Sequence, residues 1–316
     1  MKLFKISRSI FLSVTCLLLI SGMPFKVQAL PMSLIGSFDT SFGSRGTPGP
    51  EGIAFDPDSG NLFLVASNDY GLSPDTSTIV EVTTSGAFVR SFGVSLDQVE
   101  GLHILSNGNL LLSNSTSASS GGGVYEYTTD GNPVGTGLNI TTDPPSADND
   151  GAVLHTGTNT IFVADDSDEA IYEFALDGTL LNTISTTGIL SAFNEPEGID
   201  FDPLTGNLLV VDDSGGTSSL YELSTTGDLI EVHDLITLTA GATTPAGPFN
   251  DPEGIAFDPT TRTVYVAFDN DRAVGIFSLG GGPKPPVSVS EPASLLLTSL
   301  GLLALMRLSQ REARQQ

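Results

Sequence analysis

The sequence has one cysteine, no tryptophan, three histidines and few basic residues. The cysteine, Cys16, sits in an N-terminal apolar stretch, so the chain beyond it has no disulfide, no thiolate metal site and no cysteine nucleophile. Between Leu30 and Ser290 the basic residues are Arg45, Arg90, Arg262, Arg272 and Lys284, against 35 Asp and Glu. That imbalance makes nucleic acid and anionic membrane surfaces poor partners. It also destabilises a compact chain by self-repulsion unless the charge is spread over the surface or offset by bound cations. Both readings stay open at this point. No serine lies in a nucleophile elbow or an ordered triad.

What is abundant is Gly, Ser, Thr, Asp and Asn, with Val, Ile, Leu and Phe in short alternating runs. This is a turn-rich β composition. The ends differ from the rest. Lys2, Lys5 and Arg8 precede an apolar run, Ile10 to Ile20, and Val27-Gln28-Ala29 offers small residues around a cleavage point. Residues 1–29 therefore read as a secretory signal peptide, removed by signal peptidase. At the other end, a Gly/Pro linker over residues 280–290 leads to Glu291-Pro292, an apolar segment Leu295 to Met306, and Arg307, Arg311 and Arg314. The apolar segment is shorter than the roughly 20 residues of a comfortable membrane helix, and the trailing arginines would keep its end cytoplasmic. Residues 291–316 thus read as a sorting and transmembrane segment, with a plain C-terminal anchor as the alternative.

Glu291-Pro292, the apolar segment and the basic end resemble the PEP-CTERM signal of exported Gram-negative and cyanobacterial proteins, with Ser290 where the first proline of that pattern stands. The resemblance implies an exosortase-type processing enzyme as a partner, transient inner-membrane association through the C-terminal segment, and an extracellular or outer-surface destination.

Between these ends, residues 30–279 repeat. Five units open on an acid followed by glycine: Glu51-Gly52, Glu100-Gly101, Asp150-Gly151, Glu197-Gly198 and Glu253-Gly254, with the glycines 49, 50, 47 and 56 residues apart. A period near 50 with short strands predicts a β-propeller. Each unit runs through a first strand, a tight turn such as Asp56 to Asn61 or Asp202 to Asn207, and an apolar second strand. In those turns Asp caps, Pro presets φ and Gly takes positive φ. Third strands follow, and in the first four units Gly86, Gly131, Gly178 and Gly227 turn the chain into a fourth. The fifth unit stops after its third strand, at Leu279, and Leu34 to Phe38 is predicted to supply the missing one. That pairing closes the ring and leaves no sheet edge in water. Five blades are favoured; six is the alternative if a degenerate unit lies within Asp234 to Asn250.

The Glu-Gly-Ile starts and the Asp-Pro-x-Thr/Ser-Gly-Asn-Leu hairpins resemble NHL-type and SMP-30/gluconolactonase-like propellers, over about residues 34 to 279. The resemblance implies the architecture more than an activity.

The residue opening each inner strand should sit at one mouth of the central channel, so Glu51, Glu100, Asp150, Glu197 and Glu253 are predicted to form an acidic ring. Asn68 and Asp69, Asn114, Asp165 and Asp166, Asp212 and Asp213, and Asp269 and Asn270 follow the second strands, and antiparallel pairing brings them to the same mouth, with Asp69, Asn114, Asp165, Asp212 and Asp269 taken as the candidate ligands. Two carboxylates about 7 Å apart repel by roughly 2 kcal/mol at an effective dielectric near 20. Such a ring needs a counter-ion or raised pKa values. Oxygen donors without His or Cys suit a hard cation, and Ca²⁺ is the expected occupant; the competing reading is that these residues cap turns and accept backbone hydrogen bonds. His103 occupies an inward position matched by Ala54, Val153, Asp200 and Ala256, so it is expected to be buried rather than a catalytic base. His155 at a hairpin and His233 in an irregular stretch have no evident partner.

Together these features predict an exported, non-catalytic propeller that binds a ligand, protein or polysaccharide and is stabilised by Ca²⁺. Two alternatives stand beside it: a purely structural matrix component, and a secreted metal-dependent lactonase or esterase. The SMP-30-like resemblance implies the last, through Glu51 or Glu197 with Asn114 and Asp212.

Overall fold

The computed structural model describes residues 31–41, 49–66, 76–115, 123–138, 149–214 and 216–280. The signal peptide, the linker from residue 281 and the sorting segment with Glu291, Pro292 and Arg307 lie outside the described residues, as does Asp69. Among the described residues no helix is long and apolar enough to cross a membrane.

Five four-stranded antiparallel sheets form a five-bladed β-propeller. Blade 1 comprises Ile53–Asp56, Asn61–Ala66, Ser77–Thr83 and Phe88–Val94. Blade 2 comprises Val99–Ile104, Leu110–Asn114, Gly123–Tyr127 and Pro133–Leu138. Blade 3 follows with Ala152–His155, Thr160–Asp165, Ala170–Phe174 and Leu180–Ser185. Blade 4 has Pro196–Asp202, Asn207–Asp212, Ser219–Leu223 and Leu229–Asp234. Blade 5 takes Pro252–Asp258, Thr263–Phe268 and Ala273–Leu279 from the end of the domain, and its outer strand, Met32–Asp39, from the start. That outer strand pairs from Met32 opposite Leu279 to Asp39 opposite Ala273, which is the predicted ring closure. The stretch that could have hidden a sixth unit holds a short helix, Leu235–Thr239, and an isolated bridge between Thr243 and Ala246.

The turns follow the predicted chemistry. Asp56 Oδ1 accepts from the Asp58 N–H at 3.0 Å, and Asp202 Oδ1 from the Leu204 N–H at 2.8 Å. Gly60 and Gly206 then take φ of 72° and 75°. In blade 5 the same left-handed position is filled by Arg262, at φ 57°. There a guanidinium replaces a glycine's freedom: Arg262 Nη1 lies 2.7 Å from Asp202 Oδ2 in blade 4, with both side chains buried, and its head sits over the Phe257 ring. His155 has partners that its hairpin position did not reveal, Thr158 on Nδ1 and the Gly206 carbonyl at 3.1 Å from Nε2. His233 belongs to the outer strand of blade 4, opposite Leu220, rather than to an irregular stretch.

Apolar side chains fill the gaps between adjacent blades; between blades 3 and 4, for example, Phe162, Phe193, Phe201 and Tyr221 share one cluster. Nearer the axis there is room for no side chain. A Cβ on Gly52, Gly101, Gly151, Gly198 or Gly254 would fall within 3 Å of the carbonyl oxygen of the acid in the next blade, and Gly254 meets Glu51, so the five contacts form a closed collar.

Gly198→Ala should therefore destabilise the domain by about 1–3 kcal/mol through overpacking, whereas Gly108→Asn, at an open left-handed turn, should be nearly neutral. Urea unfolding compares the two. Arg262→Ala leaves Asp202 as an unpaired buried charge and should cost about 3–5 kcal/mol, read as a lower midpoint in the same experiment.

Candidate functional site

At the start of each inner strand the acid-glycine pair interrupts regular pairing. In blade 2 the register shifts between Val99 and Gly101, in blade 5 between Pro252 and Gly254, and in blade 4 between Pro196 and Ile199. An extra residue in one strand re-aims a side chain out of the ladder. Here the residues so displaced are the acids themselves, and the collar glycines let five of them approach one axis.

Their mutual field shows the convergence. Burial pushes the Asp150 carboxyl well above the usual carboxylate range, and Glu197 and Glu100 add to the shift. Glu197 is raised by burial and then by Asp166, Glu100, Asp213 and Glu51. Glu253 is raised by burial and then by Glu197, Glu51, Asp251 and Asp213. Glu100 and Glu51 thus act on ring acids of other blades, and the charges that raise Asp150, Glu197 and Glu253 are other carboxylates.

The residues after the second strands divide. Asn114 Oδ1 accepts from the Gly123 N–H at 2.9 Å, and Asp165 Oδ1 from the Asp168 N–H at 2.8 Å. Asp212 accepts from the Glu195 N–H at 2.9 Å and from the hydroxyl and N–H of Ser214. The oxygens of these three named here therefore hold loops together. Asp269 lies against Gly49, and its backbone N–H donates to the Asp251 carbonyl. It is the next residue in blades 3 and 4 that joins the ring: the Asp166 N–H donates to Asp150 Oδ2 at 2.9 Å, and Asp213 is pushed up to about 8 by burial and its hydrogen bond with Asp251.

Asp251 is the functional candidate that sequence reasoning missed. Carboxylate oxygens of Asp213, Asp251 and Glu253 lie within 4.8 Å of one another, between blades 4 and 5. A signal existed, because an acid stands two residues before the ring acid in blades 3, 4 and 5, as Asp148, Glu195 and Asp251, where blades 1 and 2 have Gly49 and Gln98; Asp148 lies outside the described residues. Asp251 also takes φ 66°, and its Oδ2 accepts from the Asn270 N–H at 3.1 Å, which fixes the side chain. Three carboxylates from two blades with no His or Cys among them are a donor set for a hard divalent cation.

A family model described as phytase-like, esterase-like activity of phytase, matches residues 191–302, which include the inner strands of blades 4 and 5. No curated protein matches the chain in sequence. Among solved structures, glutaminyl cyclase of Myxococcus xanthus is similar over 79% of this chain and 96% of its own, with a TM-score of 0.54 at 15% identity. Virginiamycin B lyase from Staphylococcus aureus is similar over 79% of this chain and 100% of its own, with a TM-score of 0.44 at 16% identity. The likeness to glutaminyl cyclase bears on the fold alone.

Raised carboxyl pKa values have a definite sign. The native mouth holds protons that the unfolded chain, titrating near 4, has already released, so stability falls as pH rises from about 4 to about 8. In chelator, the thermal midpoint should drop over this range, and Glu197→Gln should raise the midpoint at the alkaline end and flatten the slope. Circular-dichroism melts across the pH series check this.

Proposed function

We propose that this protein is an exported propeller whose acidic mouth binds one Ca²⁺ ion and, around it, a ligand or partner of protein or polysaccharide type. The observation that carries the reading is the meeting of Asp213, Asp251 and Glu253 within 4.8 Å inside a ring of carboxylates that resist joint ionisation. A cation removes that resistance. Asp213, Asp251 and Glu253 would hold it, and Glu197 and Asp150 would ionise beside it. Polysaccharide hydroxyls and carboxylates are oxygen donors of the kind Ca²⁺ accepts at positions the protein leaves open. Export rests on the N-terminal leader and the PEP-CTERM-like tail.

Calorimetric titration of the mature chain with Ca²⁺ should give one site. Ca²⁺ at a hundredfold excess over Kd should add about 2.7 kcal/mol to stability. Asp251→Asn and Glu253→Gln should each abolish the heat while raising the midpoint in chelator. No heat and an unchanged midpoint in the wild type would overturn the reading.

One observation favours a second reading, a metal-dependent esterase or lactonase: the phytase-like match covers the blades that supply all three carboxylates. A bound divalent cation would there supply Lewis-acid and water-activating chemistry. Ester and lactone hydrolysis that disappears with EDTA and with Glu253→Gln would establish it.

A further inference from the structure

The opposite end of the channel has another character. Beyond the collar the inner strands carry Phe55, Ile104, Leu154, Phe201 and Phe257 into a cavity of about 200 Å³. Prolines of the hairpin turns, Pro57, Pro203 and Pro259, form part of its lining. The fivefold pattern breaks at the level just above these side chains. Blades 1, 3 and 5 place Ala54, Val153 and Ala256 there, whereas blade 2 places His103 and blade 4 places Asp200, both of which reach the cavity.

Asp200 is built in rigidly. Its Oδ1 accepts from the Phe201 N–H and its Oδ2 from the Phe257 N–H, each at 2.8 Å. The basic group beside it is His103, with Nδ1 3.6 Å from Oδ1. Burial pushes the Asp200 carboxyl up to about 7 and that imidazole down to about 4, so above about pH 7 Asp200 is an anion and His103 supplies no counter-charge. Arg262 is engaged by Asp202. A carboxylate held by two backbone donors thus stands in an aromatic-lined chamber with no cation among the described lining residues, which is the chemistry that receives an ammonium group. The volume sets the size of the rest: an apolar cavity of about 150 Å³ takes a benzene ring, so this one has room for a ring and a short chain.

We propose that this cavity is a second binding site, separate from the acidic mouth, for a small arylalkylamine whose ammonium group pairs with Asp200 and whose ring lies among Phe55, Phe201 and Phe257. The acidic protein favours organic cations at long range, and the Phe side chains of the lining supply apolar contact for the ring.

The test uses phenethylamine and its neutral counterpart phenethyl alcohol, titrated by ligand-observed NMR up to about 10 mM at about pH 8. The amine should bind at least about tenfold more tightly than the alcohol, a difference of about 1.4 kcal/mol. Asp200→Asn should remove that preference and leave the alcohol's affinity unchanged. Ser106→Trp, at an exposed turn on the cavity's rim, should weaken both ligands at least about tenfold while leaving the Ca²⁺ titration as in the wild type. This variant keeps the test decisive if Asp200→Asn does not fold. Equal binding of amine and alcohol, no binding of either, or amine binding that survives Ser106→Trp would overturn the proposal; in the last case the amine is held at the acidic mouth.

Discussion

Five inner strands meet so closely at Gly52, Gly101, Gly151, Gly198 and Gly254 that a single added carbon on any of them would collide with the backbone of the next blade. Much of the rest follows from that contact. It sets the blades at their mutual distance, and it divides the channel into two chambers, since the space at the collar amounts to only about 10 Å³. It also forces the preceding acids toward one axis, because the residue before each glycine has nowhere else to be aimed once the ladder is broken there. The acidic mouth is thus partly a consequence of how a five-bladed ring closes.

Geometry does not require those residues to be acidic, however. A serine or asparagine at the same places would fit the same bulge without the electrostatic penalty. Carboxylates that raise one another's pKa cost stability whenever they ionise together, and burial makes the cost larger. The opposite chamber carries its polar groups at two of five equivalent places and apolar side chains at the rest. The two ends of the channel therefore differ in kind: one concentrates negative charge, and the other isolates a single carboxylate among rings.

The fold was legible because its determinants are local and repeated. Acid-glycine starts, Asp-Pro turns and a missing fourth strand in the last unit are visible as words in the chain, and ring closure by Leu34 to Phe38 followed from counting strands. The site was legible only to the level of the ring. Whether Asp165 or Asp166, Asp212 or Asp213 faces the axis depends on where the second strand ends and the loop begins, a one-residue question that inverts side-chain direction. In the structure Asp165 and Asp212 hold their loops through hydrogen bonds, while Asp166 and Asp213 stand close enough to Glu197 to raise its carboxyl. Arg262 in a position where blades 1 and 4 use glycine and blade 3 uses Asn159, and its pairing with Asp202 in another blade, could not be read from spacing, because nothing local links residues 60 apart.

Fivefold sameness argues against a unique centre, and the departures from it locate one. Blades 3, 4 and 5 have acids two residues ahead of the ring acid, and blades 3 and 4 close their second strands with a pair of aspartates; among the described residues it is at the junction of blades 4 and 5 that three carboxylates, Asp213, Asp251 and Glu253, come within 4.8 Å of one another. Asp213 illustrates the effect: it is only half-buried, yet the neighbouring Asp251 helps raise its carboxyl to about 8. A repeat protein acquires a specific site by such local breaking of its own symmetry, because the repeated residues supply the scaffold and the field while the exceptions supply direction. The same reasoning applies to His103 and Asp200 at the far end, where two polar side chains stand at places that the other blades fill with Ala or Val. In both chambers the unrepeated residues, rather than the motif that defines the fold, carry the chemical individuality of this chain.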